Sequence, residues 1–276
     1  MSFPLSFPTD RPFVTVTHPN TKLWVIELHN GADSRLTTAF IEGGLKPALD
    51  AVEKDWRDAW RVSFAQKSKT GGEGALIIVG NRSQNKFFSN GLDFQSVVSD
   101  PAIATTFFPV IFNPLMRRIV TFPIPTIAAI NGHAFAAGMI LSLCCDYRVM
   151  TDGSKRNAWM CMNEIHFGAG LPLSLTSIIR TKVSDARLQR KIALEGHRFT
   201  PQEALEGGLI DQIVNGDTEA VIAKAQELAN TVSHLPRLGS YGVIKRELYR
   251  DFLEDSCRDV SRSDAASEDV AAKARL

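Results

Sequence analysis

The stretch of sequence that is most informative about the fold is Ala128-Ala129-Ile130-Asn131-Gly132-His133-Ala134-Phe135-Ala136-Ala137-Gly138. It begins inside a short apolar run, Thr126–Ile130, which predicts a buried strand, and the chain turns at Asn131-Gly132. Residues Ala136–Cys144 then predict a buried helix. Because the first amides of a helix have no partner within it and attract negative charge, this helix start is suited to a phosphate or an oxyanion.

Two further segments also place small or polar residues close to the end of a predicted strand. One is Phe88-Ser89-Asn90-Gly91-Leu92-Asp93-Phe94 and the other is Met162-Asn163-Glu164-Ile165-His166-Phe167-Gly168. The backbone can approach a ligand closely at such positions, and loops of this kind often carry function. Both segments are therefore candidates for contact with a ligand.

The hydrophobic pattern predicts alternating strands and helices up to about residue 165, and mostly helices afterwards. The predicted strands are Phe13–Thr17, Leu23–Leu28, Ala75–Val79, Thr126–Ile130 and Tyr147–Met150, with an extended segment at Leu209–Val214. The predicted helices are Ile41–Trp60 with a bend at Pro47, Pro101–Thr121 with interruptions at Pro109 and Pro114, Ala136–Cys144, Leu171–Arg180, Ala186–Leu194, Pro201–Glu206, Ala220–Thr231 and Gly239–Phe252. Residues Phe87–Phe94 are predicted to form a loop. The pattern indicates an α/β core with a C-terminal helical region.

Composition excludes several classes of protein. The 276 residues carry 31 Lys and Arg against 30 Asp and Glu, so nothing in the charge balance favours nucleic-acid binding. The apolar content of 44% suffices for a full core, and no apolar run is long enough to span a membrane. Four cysteines without a CxxC pair favour neither a zinc site nor a redox motif, and they indicate a reducing compartment.

Together the motifs resemble the crotonase superfamily, also called the enoyl-CoA hydratase/isomerase family, from roughly Phe13 to Phe252. Phe88–Asp93 is similar to the family's first oxyanion motif, and Ala128–Gly138 followed by Cys145-Asp146-Tyr147-Arg148 is similar to the second. A later signature is matched from Phe199 to Asp211.

The resemblance implies a crotonase-like ββα spiral core over residues 1–200 and a C-terminal helical oligomerisation region over residues 201–276, in which the last residues are expected to form a targeting tail. It implies an acyl-CoA ligand and a homotrimer or hexamer. It also implies that two backbone amides, carried over to Asn90 and Ala137, hold the thioester oxygen. The substrate-binding residues expected beside them are Ser89, Gly91, Asp93, Gly138, Ile140 and Arg35. No metal and no separate cofactor are expected, since CoA is part of the substrate.

The acid and base groups narrow the reaction. Hydratases of the family hold water with two glutamates; here one of those positions is Ile140 and the other is Glu164. A single base beside an oxyanion hole resembles the Δ3,Δ2-enoyl-CoA isomerases, which act in the β-oxidation of unsaturated fatty acids. The apolar Ile140 is expected to exclude water and to raise the pKa of Glu164.

Two alternatives remain open at this point. One is another crotonase reaction, such as dienoyl-CoA isomerisation, hydration or a step of secondary metabolism. The other is a non-catalytic member that binds acyl-CoA or a partner. His133 and His166 are expected to be structural histidines rather than bases. Candidate partners for the CoA phosphates are Arg35, Lys86, Lys245 and Arg246, and candidate walls of an acyl tunnel are Phe107, Phe108, Phe112, Met116 and Met139.

The sequence closes with Ala274-Arg275-Leu276, which combines a small, a basic and a leucine residue. This is the chemistry of the peroxisomal C-terminal address typified by Ser-Lys-Leu. We therefore expect a peroxisomal import receptor as a partner and the peroxisomal matrix as the location.

Overall fold

A seven-stranded sheet forms the larger of two sheets in the computed structural model, which describes residues 2–68, 71–258 and 265–275. Its strands are, in spatial order, β1 (Leu5–Phe7), β2 (Val14–Asn20), β3 (Leu23–Leu28), β4 (Ala75–Val79), β6 (Thr126–Ile130), β8 (Tyr147–Thr151) and β10 (Gln212–Val214). Strands β1, β2 and β3 pair antiparallel, and all later pairings are parallel. Strands β3, β4 and β6 have the predicted bounds.

A second sheet of three short parallel strands was not predicted. It consists of β5 (Phe87–Ser89), β7 (His133–Phe135) and β9 (Met160–Cys161), in that order. The prediction of a loop throughout Phe87–Phe94 is therefore wrong, because β5 lies within it and a helix begins at Phe94. Strands of two or three residues are too short to show a hydrophobic period, so pattern analysis misses them.

Thirteen α-helices lie within the described residues. They are α1 (Thr38–Phe40), α2 (Lys46–Ala65), α3 (Phe94–Ser99), α4 (Pro101–Thr106), α5 (Asn113–Val120), α6 (Ala137–Cys144), α7 (Leu173–Lys182), α8 (Ala186–Ala193), α9 (Pro201–Glu206), α10 (Thr218–Val232), α11 (Tyr241–Leu248), α12 (Arg250–Asp255) and α13 (Ala265–Arg275). Single 3₁₀ turns occur at Glu164–Phe167 and Leu235–Leu238. All the predicted helices are present, with shifts of a few residues at their ends.

Two π-helical turns accommodate the prolines that were expected to disturb helices. The turn Ile41–Leu45 precedes α2, so Pro47 lies in the first turn of α2, where its missing N–H costs little. The turn Phe107–Phe112 joins α4 to α5 and contains Pro109, and Pro114 again lies in a first turn. Single π turns inside helices are frequent near functional sites.

The central strands of the large sheet are buried on both faces. Ala75, Ile77 and Val79 of β4 belong to a smaller apolar cluster with α10, whereas Leu76 and Ile78 face the main core. This alternation explains why the strand is a continuous apolar run, as is typical of a parallel strand covered on both sides.

The part of the chain after residue 200 contains a strand as well as helices. Strand β10 lies after residue 200, yet it pairs with β8 and completes the large sheet. At the end of the chain, α13 is exposed and includes Ala274 and Arg275, whereas Leu276 lies outside the described residues.

Candidate active site

A cavity of about 640 Å³ lies where the three strands of the small sheet end. Asn90 follows β5, Ala136 and Ala137 follow β7, and Glu164 follows β9 by three residues. The cavity is lined by Arg35, Asn90, Leu92, Phe94, Gln95, Val97, Phe108, Ala136, Ala137, Asn163, Glu164, Phe167, Ala169, Gly170, Leu171, Pro172 and Leu175. The three segments singled out in the sequence therefore meet at one place.

Four predicted site residues line this cavity, namely Arg35, Asn90, Ala137 and Glu164. The other five predicted substrate-binding residues are not among the lining residues: Ser89, Gly91, Asp93, Gly138 and Ile140. Of the five proposed acyl-tunnel residues, only Phe108 lines the cavity. The others are core residues, since Phe107, Phe112, Met116 and Met139 are almost fully buried.

Two glycines bring the loops of the site together. A Cβ atom on Gly91 would lie 2.7 Å from the carbonyl oxygen of Phe135 and 3.0 Å from the amide nitrogen of Ala137. A Cβ atom on Gly138 would overlap the carbonyl oxygen of Ser89. Both positions therefore require glycine because the segment after β5 and the segment after β7 pack backbone against backbone. Gly91 and Gly138 thus contribute to the site by allowing this close packing of the backbone.

Ala137 lines the cavity at the start of α6. Ala136 before it has a φ of 49°, a left-handed conformation that strains a non-glycine residue, and its amide donates to the carbonyl oxygen of Cys161 at 2.7 Å. Within the described residues, the Ala137 amide has no hydrogen-bond acceptor. As the first amide of a helix it is available to a ligand oxygen.

The second expected oxyanion donor is already engaged. The backbone amide of Asn90 donates to the carbonyl oxygen of Asp33 at 2.8 Å. The segment before α1 thus supplies an acceptor for the amide that is expected to bind the thioester oxygen. A ligand oxygen would have to take this donor over from Asp33.

Asp33 is a site residue that the sequence analysis missed. Its carboxylate Oδ2 accepts hydrogen bonds from Asn90 Nδ2 at 3.0 Å and from Arg35 Nε at 2.9 Å. Arg35 in turn donates from a guanidinium nitrogen to the carbonyl oxygen of Leu92 at 3.1 Å. A carboxylate near an arginine and an asparagine was visible in the sequence, but Asn90 lies 57 residues from Asp33 and its approach depends on the fold.

Ile140 lies on α6 and is fully buried. It is not part of the cavity wall, so the expectation that it covers Glu164 is not supported by its position. The apolar wall is formed instead by other residues: Leu92, Phe94, Val97, Phe108, Phe167, Leu171, Pro172 and Leu175. Among the described residues that line the cavity, Glu164 is the only carboxylate.

Glu164 begins the 3₁₀ turn Glu164–Phe167 and points a carboxylate into the cavity. Its Oε2 atom is buried and has no hydrogen-bond partner among the described residues. Burial raises the pKa of Glu164 above its ordinary value, although the backbone amides of Glu164 and Asn163 act in the opposite direction. A carboxylate with a raised pKa and a free oxygen has the properties of a general base.

Neither histidine close to the motifs lies in the cavity. The ring of His133 is stacked against Phe135 and Trp159, and its Nδ1 accepts the amide of Trp159 at 3.1 Å. Burial and three nearby cations lower the pKa of His133 to about 4. His166 interacts through Nε2 with the carbonyl oxygen of Gly196 at 3.2 Å. Both positions agree with structural roles.

The prediction that Lys245 is available to bind a CoA phosphate is wrong. Lys245 is buried and donates to the carboxylate of Asp146 at 2.8 Å and to the carbonyl oxygen of Phe122 at 3.2 Å. It therefore holds α11 against the core and is not accessible to a CoA phosphate. Arg35 remains the proposed cation that lines the cavity.

The described residues contain no group of three or more His, Cys, Asp or Glu side chains placed to hold a metal ion. No helix among them combines the length and the apolar character that crossing a membrane requires.

Comparisons with known proteins agree with the geometry. The family model described as "Enoyl-CoA hydratase/isomerase" matches residues 47–252. The peroxisomal enoyl-CoA delta isomerase 2 of Arabidopsis thaliana is 29% identical over 68% of this chain and 79% of its own length. A carnitinyl-CoA dehydratase of Citrobacter koseri is 30% identical over 60% of this chain and 59% of its own length. The apo structure of an Mtb enoyl-CoA isomerase superimposes with a TM-score of 0.71 at 24% identity, covering 95% of this chain and 98% of that one, which shows a shared fold.

Proposed function

The chain belongs to the enoyl-CoA hydratase/isomerase family, and from this premise we propose that it is a Δ3,Δ2-enoyl-CoA isomerase. Such an enzyme moves the double bond of a 3-enoyl-CoA to the 2-position. The observation that carries the proposal is that Glu164 is the only carboxylate among the described residues that line the cavity. One base serves a proton transfer between two carbons, whereas the hydratases that the sequence resembles hold water between two glutamates.

The reaction is a balanced proton shift. Glu164 removes a proton from C2 of the 3-enoyl thioester, and the electron pair of the C–H bond moves toward the thioester oxygen to form a dienolate. The protonated Glu164 then returns the proton to C4 while the 2,3 double bond forms. No water is consumed and no further cofactor is required, since CoA is part of the substrate.

The environment of Glu164 supports this role. Its pKa is raised by burial, so the carboxylate is a stronger base than an exposed glutamate. Its Oε2 atom has no competing donor in the described part of the chain and is available to a substrate proton. The largely apolar wall limits access of water to the reacting carbons.

The amide of Ala137 is the donor we assign to the thioester oxygen. The amide of Asn90 is the second, and it reaches that oxygen once the substrate replaces the carbonyl of Asp33. Backbone donors of this kind stabilise negative charge that develops in the transition state, and loss of one costs about 10²–10³ in rate. Since the donors are backbone groups, the asparagine side chain at position 90 is compatible with the role.

The test is an assay of the purified protein with 3-hexenoyl-CoA. Formation of the conjugated 2-enoyl thioester is measured by its absorbance, and hydration of 2-hexenoyl-CoA is measured in parallel. We expect isomerisation with little hydration, and loss of isomerisation in Glu164→Gln. Full activity in a folded Glu164→Gln variant, or hydration faster than isomerisation, would contradict the proposal.

The biological setting is part of the proposal. We assign the protein to β-oxidation of unsaturated fatty acids in the peroxisomal matrix. The supporting features are the tripeptide Ala274-Arg275-Leu276 and the similarity to a relative named as peroxisomal. A fluorescent reporter fused before the last helix is expected to enter peroxisomes, and removal of the last three residues is expected to leave it outside. Import that persists after this removal would contradict the role of the tripeptide.

Oligomerisation is also proposed. Leu238 and three residues of α11, namely Val243, Ile244 and Leu248, are exposed apolar side chains in the described structure. An exposed apolar surface of this kind is typical of a subunit interface. A trimer or hexamer would cover it, and measurement of the mass in solution distinguishes these states from a monomer.

A further inference from the structure

Two aromatic rings meet at the mouth of the cavity. The ring centroids of Phe94 and Phe167 are 5.0 Å apart, and the ring planes form an angle of 61°. Both residues line the cavity, and they are 36% and 47% exposed. Large apolar side chains that are exposed on one side and line a cavity on the other lie between the cavity and the solvent.

The pair joins the two halves of the proposed catalytic site. Phe167 is the last residue of the 3₁₀ turn that begins with Glu164, and side chains three residues apart in such a turn lie above one another. Phe94 begins α3, directly after the loop that carries Asn90. The ring contact therefore connects the segment of the base to the segment of an oxyanion donor.

We propose that the Phe94–Phe167 pair is a specificity-determining element that keeps water away from Glu164 while the double bond moves. The proposal rests on the proposed role of Glu164 as the base. In this view the pair makes isomerisation faster than two side reactions, namely hydration and exchange of the transferred proton with solvent. Phe94 and Phe167 are not assigned any proton-transfer role.

Apolar groups are the part of the surroundings of Glu164 that can keep water away from it. Arg35 lines the same cavity, and Cys161 on β9 is a neutral thiol, since burial and the nearby Glu164 raise its pKa, against the lowering effect of Arg198, to about 11. No second carboxylate lines the cavity among the described residues. Water that entered the cavity would reach the Glu164 carboxylate and could exchange with the proton that it carries. Exclusion of water by the two rings would prevent this exchange and the competing hydration.

The experiment compares Phe94→Ala and Phe167→Ala with Phe94→Leu, Phe167→Leu and the control Ile165→Ala. Ile165 lies in the same 3₁₀ turn as Phe167 and is 48% exposed, but it does not line the cavity. The first measurement is the fraction of solvent deuterium in the 2-enoyl product formed in D₂O. We expect a severalfold increase in both alanine variants, a smaller increase in the leucine variants and no change in Ile165→Ala.

The second measurement is the titration of Glu164 by ¹³C NMR of protein with labelled glutamate carboxyl groups, assigned with Glu164→Gln. Entry of water into the site favours the charged carboxylate, so we expect the pKa of Glu164 to fall toward its ordinary value in the alanine variants. The pH profile of kcat/KM is expected to move to lower pH by the same amount. A role confined to stability would change neither the pKa nor the deuterium content.

The outcomes separate this inference from the proposed function. Unchanged deuterium content and an unchanged pKa of Glu164 in folded variants would overturn the inference. If the wild-type protein does not isomerise 3-enoyl-CoA, the proposed function fails, and the NMR titration still decides whether the rings shield Glu164. If the alanine variants do not fold, the leucine variants provide the same two measurements.

Discussion

Asp33 accepts two hydrogen bonds from Asn90, one from the backbone amide to its carbonyl oxygen at 2.8 Å and one from the side-chain amide to its carboxylate at 3.0 Å. The loop that carries one expected oxyanion donor is thus fixed to the segment before α1. Ser34, next to Asp33, has a φ of 48° and a buried hydroxyl without a partner in the described structure. Strain of this kind persists only where the surroundings impose it, and it is concentrated at functional sites.

The first prediction concerns this contact. Asp33→Ala and Asn90→Ala are each expected to lower kcat about tenfold, because a misplaced donor loses part of the ~10²–10³ that an oxyanion donor supplies. The double variant is expected to be no slower than Asp33→Ala alone, since the side-chain contact that Asn90→Ala removes is already lost in Asp33→Ala, which also removes the contact with Arg35. Steady-state kinetics with 3-hexenoyl-CoA measure kcat for the two single variants and the double variant. If the effects of the two substitutions on kcat multiply in the double variant, the two residues do not act through a shared contact. Asp58→Asn, an exposed carboxylate on α2, is the control.

The second prediction concerns pH. Glu164 must be ionised to act as a base, so kcat/KM is expected to rise with pH and to level off above the raised pKa of this residue. A raised pKa also means that the folded chain binds the proton more tightly than the unfolded chain. The contribution of Glu164 to stability is therefore most favourable below its unfolded pKa and is lost as the pH rises through the folded value. Denaturant unfolding from pH 4 to pH 7 should show this loss in the wild type but not in Glu164→Gln.

The pH profile of activity also tests whether His133 takes part in the reaction. Because the pKa of His133 is lowered to about 4, this residue is neutral throughout the range in which activity should appear. No inflection near the ordinary histidine pKa is expected from it. Loss of activity without loss of stability in His133→Phe or His133→Gln would contradict a structural role for this residue.

The third prediction concerns Gly138. A methyl group there would overlap the carbonyl oxygen of Ser89, so Gly138→Ala is expected to displace the two oxyanion motifs and abolish isomerisation. Gly43→Ala is the matched control, because the nearest atom to its added methyl group is a ring carbon of Phe13 at 3.9 Å and its φ is ordinary. Activity and melting temperature measured together give the result. Normal activity in Gly138→Ala would mean that the motifs do not pack as described.

The fourth prediction concerns the buried ion pair between Lys245 and Asp146. Lys245→Met leaves the Asp146 carboxylate buried without its cation and is expected to cost ~3–5 kcal/mol of unfolding free energy. Lys54→Met removes a comparable pair between exposed side chains and is expected to change little. Urea unfolding measures both. Equal effects of the two substitutions would show that burial does not determine the strength of the pair.

Several elements were predictable because a local signal specifies them. Leu23–Leu28, Ala75–Val79 and Thr126–Ile130 have the predicted bounds, since each is a short apolar run with at most one polar residue. The strands of the small sheet gave no such signal because each has at most three residues. They exist because Phe87, His133 and Met160 belong to segments that the larger fold places side by side.

The candidate site follows the same division. Glu164 and Ala137 were identified from motifs, and both line the cavity. Asp33 was missed because its role depends on a contact with a segment that is distant in sequence. Phe94 and Phe167 lie in two segments that the sequence marked as candidates for ligand contact, but the contact between their rings depends on the fold. The same is true of Lys245, whose charge predicted a surface role and whose partner Asp146 lies 99 residues earlier.

That long separation has a consequence for the order in which a ribosome makes the chain. Asp146 and the edge of β8 are synthesised well before β10 and Lys245, which respectively complete the sheet and neutralise the carboxylate. A nascent chain that stops near residue 200 therefore carries an open strand edge and an uncompensated charge. We expect newly made chains to depend on chaperone binding until α11 has emerged, and amino-terminal fragments to aggregate when they are produced alone.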